Sequence, residues 1–162
     1  MIFGVAMYIL AFYLTYNKII DVPVTPEMIA DFQSYFNLAF EIPSSEQFRF
    51  EVAQFAAQTT LVIFGVLAAL WLVVFVQPPH KWFAGGDEFS GDWRPTALAG
   101  GLVVAFTLLM AIEPVRRLFE FIPLPPSGYV FIVSMVLVWM LFVRLLWRKR
   151  WLERFLGIDS QD

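Results

Sequence analysis

Four apolar blocks, separated by connectors rich in proline and charge, constrain this chain more than anything else in it. A helix needs about 20 residues to cross the hydrocarbon core of a bilayer, and inside lipid it keeps every backbone amide paired within its own segment. The blocks lie at about 1–18, 45–77, 95–113 and 128–156, with a polar tail over 158–162. Hydrophobic residues make up 59% of the 162 and charged residues 15%. A soluble core of this length cannot hide so much apolar surface, so the surplus faces lipid. The expected fold is therefore all-α: an integral membrane four-helix bundle, multi-pass, with the lipid bilayer as its first partner.

The first block, Ile2 to Tyr16, falls short of a full crossing, and Met1 runs straight into it. Either the helix borrows Asn17 to Ile20 or the chain is a fragment of a longer protein, and the fragment is the preferred expectation. No basic residue precedes Lys18 and no small-x-small cleavage site follows, so the segment is read as retained, not as a signal peptide. Residues 17–49 form an acidic aqueous loop. Within it, Thr25, Pro26 and Glu27 spell a helix start. Met28, Ile29, Phe32, Tyr35, Phe36 and Ala39 recur at helical spacing, giving a short amphipathic helix that lies on the membrane surface or on neighbouring helix ends and stops at Pro43.

Ser44 and Gln47 have capping-box spacing ahead of a run that continues to Val76, where Pro78 and Pro79 block it. At about 1.5 Å per residue such a helix approaches ~50 Å, so its first turns should project into water. Pro95 opens the third crossing, Pro114 ends or bends it near Ile112, and Val115 to Phe121 is expected as a short continuation. Pro123, Pro125 and Pro126 force a turn. Ser127 is the expected cap of the fourth crossing, which runs from Tyr129 to Trp147 and on to a stop at Gly157. Arg144, Arg148, Lys149, Arg150 and Arg154, with Trp147 and Trp151 as interfacial anchors, place the C-terminus in the cytoplasm; Arg116 and Arg117 count against that orientation.

Several functions are excluded by what the chain lacks or where its residues fall. A net charge of -3 without basic and aromatic interleaving argues against nucleic acid, and the absence of cysteine removes disulfides and thiolate metal sites. Gly85, Gly86, Asp87, Glu88 and Phe89 spell the signature of diguanylate cyclases. In that class, however, the motif sits in a soluble α/β domain, and here it occupies a connector of fewer than 20 residues; it reads as a turn with solvated carboxylates. His80, the single histidine, has no second ligand nearby, and no nucleophile triad or phosphate-binding glycine loop can be assembled. No catalytic residue, cofactor, metal or small-molecule substrate of the chain alone is expected.

What remains are faces. Glu51, Gln54 and Gln58 share one side of the second crossing, continued by Gly65, and polar groups there should face protein or water: an ion-path lip or, preferred, interhelical hydrogen bonding. Ala97, Gly101 and Ala105 form a small-residue stripe on the third crossing suited to close helix packing, and Gly4, Tyr8, Ala11 and Thr15 a comparable face on the first.

Glu113, Pro114, Phe119, Pro123 and Leu124 form a segment that resembles the junction between the last two transmembrane helices of P-type cation-transporting ATPases of the calcium-pump type. The order of elements is similar to that family's final four spans throughout, with residue-level likeness strongest over 93–157. The resemblance implies a supporting bundle beside the ion-path helices of a cation pump, with the pump's remaining transmembrane helices as partner. The family's phosphorylation, nucleotide and actuator domains are absent here, so no ATPase activity of its own is expected. In calcium pumps the helix corresponding to 59–69 supplies an ion ligand, where this chain has Gly65. The rival expectation is a free-standing small membrane protein acting as an interaction scaffold or accessory subunit.

Overall fold

A computed structural model describes residues 2–39, 41–76 and 92–148, and within them all regular structure is helical. The helices are α1 (Ile2–Ile19), α2 (Pro26–Phe36), α3 (Ser45–Val76), α4 (Arg94–Ala111), α5 (Glu113–Leu118) and α6 (Pro126–Arg148). Four of them, α1, α3, α4 and α6, are long and apolar enough to cross a membrane. The Gly85–Phe89 string, His80, Trp151 and the tail with its expected stop at Gly157 lie outside the described residues.

α3 is the axis of the bundle, with α1, α4 and α6 each packed directly on it. Met7 of α1, Ile63, Phe64 and Ala68 of α3, and Ile132 and Val136 of α6 form one buried cluster, edged by Phe106 of α4 and Trp139 of α6. The α1 face read from sequence is used here: Ala11 is buried, Gly4, Tyr8 and Thr15 are half-buried, and a Cβ on Gly4 would lie 3.4 Å from Leu61 Cδ1. The opposite sides of the spans carry Ile9, Leu98, Leu108 and Val130, all more than half exposed. Such a continuous apolar exterior suits contact with lipid, not with water.

Local chemistry sets where the helices begin. Thr25 Oγ1 accepts from Met28 N–H at 3.3 Å and Ser44 Oγ from Gln47 N–H at 3.2 Å, as the capping spacings require. Asp92 Oδ1, one residue before the N-cap position at Trp93, accepts from Arg94 N–H at 3.0 Å and satisfies the first amide of α4. Ser127 is not the cap of α6, because the helix starts one residue earlier, at Pro126, whose fixed φ suits a first helical position.

The ends also differ from expectation in two places. α2 stops at Phe36, well before Pro43, and Ala39 lies beyond it. Asn37 takes a left-handed φ of 48°, and Leu38 N–H returns to Gln33 O at 3.0 Å, closing the helix locally. α5 runs over 113–118, not 115–121, because Glu120 does the same at φ 56°, with Phe121 N–H on Arg116 O at 2.8 Å.

Candidate functional site

Among the described residues, the hydrogen bonds that tie Arg49 to Ile19 and Val22, Tyr35 to Phe121 and Thr59 to Ile122 gather at one end of the bundle. α2 does not stand apart there. It lays Phe32 and Phe36 against Phe48 and Phe55 of α3 and against Ile42, with the Phe36 and Phe55 ring centroids 4.3 Å apart. An aromatic cluster of this kind gains both buried area and ring-edge geometry. Arg49 of α3 reaches back to the end of α1 and the turn that follows it, its Nε donating to Ile19 O at 3.1 Å and its Nη2 to Val22 O at 3.0 Å. The Ile19 carbonyl ends α1 and also accepts from Val22 N–H at 3.2 Å, so the guanidinium adds to the closing turn of α1 and clamps it to α3.

The segment linking α5 to α6 is held from both sides. Tyr35 Oη donates to Phe121 O at 3.3 Å, and Ile122 N–H donates to Thr59 Oγ1 at 3.1 Å. Thr59 is 2% exposed, so it supplies an acceptor inside an apolar region where the amide has no water to turn to. Beside them, Glu113 Oε1 accepts from Arg117 at 2.6 and 3.0 Å, and the same guanidinium lies 4.7 Å from the Tyr35 ring centroid.

The junction residues thus divide by role. Ile112 is extended, at φ -87° and ψ 113°, and breaks α4 from α5. Glu113 and Pro114 open α5. Phe119 is exposed and stacks on Phe121, while Leu124 packs on the main core. Pro123 and Leu124 also line a cavity of about 490 Å³ between α1, α3 and α6, with Lys18 among its lining residues.

The polar face of α3 is open. Glu51 and Gln54 are half-buried, Gln58 and Gly65 are exposed, and a Cβ on Gly65 would meet nothing within 4 Å. Gln58, Val62, Gly65, Ala69 and Leu72 follow one another in steps of four and three, all on the side that α1, α4 and α6 leave uncovered. Steps of that size describe a seam for another helix. The stripe Ala97, Gly101 and Ala105 is exposed too; α4 meets α3 through buried Ala99 and half-buried Phe106 instead. The two expected faces are therefore separate, and neither is filled by a helix of the described residues.

Among the described residues no three His, Asp or Glu side chains come together as a metal site would need. Sequence reasoning did not find Arg49, Thr59 or the contacts of Tyr35 with Phe121 and Arg117, since the hydrogen-bond partners lie 27 to 86 residues away. A buried threonine inside a long apolar run was the one local signal available for Thr59. Comparison with protein-family models, curated proteins and solved structures finds no match.

Proposed function

We propose that this chain works as the C-terminal membrane-embedded supporting domain of a P-type cation-transporting ATPase of the calcium-pump type, without ATP hydrolysis of its own. The observation that carries the reading is the uncovered seam on α3. Gln58 and Gly65 sit on the most central helix, and an amide side chain turned to hydrocarbon is costly. A bundle beside the ion-path helices of a pump would turn this seam toward them. The order of elements also supports it: a long second span, a third span broken at Glu113 and Pro114, and a basic end to the fourth. In this reading the C-terminus is cytoplasmic, while α2 and α5 face outward. The pairing of Arg117 with Glu113 weakens its count against that orientation.

The test is a native purification. A tagged chain, extracted from its own membranes in mild detergent and incubated with γ-labelled ATP, should bring down an acid-stable, hydroxylamine-sensitive acyl phosphate on an associated polypeptide. Recovery of a discrete particle without any phosphoenzyme would remove the pump reading. A second reading, a free-standing interaction scaffold, draws on the self-contained core that joins α1, α3 and α6, and that same outcome would favour it.

A further inference from the structure

We propose that the groove between α4 and α6 binds one anionic glycerophospholipid, with an acyl chain along the groove and its phosphate on the guanidinium of Arg116. The inference needs the bundle to meet a bilayer but does not depend on the pump reading. α4 and α6 both pack on α3 more closely than on each other, so a slot stays open between them. It holds about 450 Å³, floored by Ile63 and Leu67 of α3 and walled by Phe106 and Met110 of α4 and Ile132 and Val133 of α6. That is the scale and the lining of a site for a mainly apolar ligand.

The end of the slot at α5 is different in kind, because Arg116 and Tyr129 join its lining there. Arg116 is half-buried, and its Nε is shielded from solvent without an acceptor. No hydrogen bond or ion pair holds its guanidinium among the described residues. Its neighbour Arg117 shows what a satisfied guanidinium looks like in this place, bonded to Glu113 and stacked over Tyr35. Glu113 is thereby engaged, which leaves Arg116 to find its acceptor outside the described chain.

A buried donor left unmet carries a desolvation penalty, larger for a charged group. The missing acceptor must be anionic, reach the end of a span, and be continuous with something apolar enough to fill the slot. A phospholipid has all three properties in one molecule, and the planar fork of arginine matches two phosphate oxygens. The companion cavity between α1 and α6 carries Lys18, which is exposed and lacks this buried, unmet donor, so the site is assigned to the α4 and α6 side.

The full chain, delipidated in detergent, would be titrated with dioleoyl phosphatidylglycerol or dioleoyl phosphatidylcholine and read by native mass spectrometry. One retained phosphatidylglycerol is expected, favoured about tenfold over phosphatidylcholine, a ratio that corresponds to ~1.4 kcal/mol. Arg116→Gln should abolish the preference, Arg116→Lys should keep part of it, and Arg94→Gln, on an exposed side chain at the other end of α4, should leave it unchanged. Val133→Trp should fill the slot and remove the adduct. Thermal unfolding of each variant separates loss of binding from loss of fold. Equal retention of the two lipids, or a preference that survives Arg116→Gln in a folded protein, would overturn the assignment. So would glycerophosphoglycerol, which has the headgroup without acyl chains, competing as well as the lipid.

Discussion

Glu120 keeps a left-handed backbone at φ 56° without the freedom that glycine would bring. An L residue in that region is disfavoured by about 1–2 kcal/mol, and the turn it closes needs the angle more than the side chain. Glu120→Gly is therefore expected to stabilise the protein by about 1 kcal/mol, seen as a higher unfolding midpoint in detergent. Asn37, at φ 48°, already belongs to the residue types that tolerate this region, so the same change there should gain less. Thr59 makes the opposite case. Thr59→Val keeps the shape but strands the Ile122 amide, and should cost about 1–3 kcal/mol; Thr59→Ser should recover most of it in the same unfolding assay. Caps such as Thr25 and Ser44 are legible in sequence because donor and acceptor lie three residues apart. The partner of Thr59 lies 63 residues on, and no local pattern announces it.

The break between α4 and α5 shows how one proline shapes an element. Pro114 has no amide to give and its ring crowds the carbonyl four residues back, so a helix arriving from Ala111 must let go near Ile112. With Pro114→Ala that obstacle is gone, and α4 should run on into α5. Spin labels on cysteines replacing Ala105 and Leu118 would then move toward the ~20 Å of an unbroken helix at about 1.5 Å per residue; an unchanged distance distribution would place the cause of the break elsewhere. Starts and breaks made by proline were readable in advance, to within a residue or two. The stops of α2 and α5 were not, because Asn37 and Glu120 end their helices through backbone conformation, and only the angle reveals it. The partition of faces was half legible. Small residues mark both α1 and α4 as packing surfaces, yet among the described residues only the pattern on α1 meets another helix.

At the scale of the molecule, the long apolar blocks declared the four helices long enough to cross a membrane, because hydrocarbon thickness leaves little choice of length. Which helix sits in the middle was not declared, since that depends on how four similar cylinders pack. A crossing by α3 would put α2 and the start of α4 on opposite sides of the bilayer. The chain has no native cysteine, so Asp31→Cys and Trp93→Cys provide single exposed probes without background. A membrane-impermeant maleimide should label one from the outside of sealed vesicles and the other only after permeabilisation; labelling of both from one side would contradict four crossings. The central place of α3 also sets an order of events during synthesis. In the chain it follows α1 and precedes α4 and α6, so α1 has to wait in the translocon or its lipid surroundings for its seat. α4 and α6 emerge to find theirs already inserted, and assembly can advance span by span as translation proceeds.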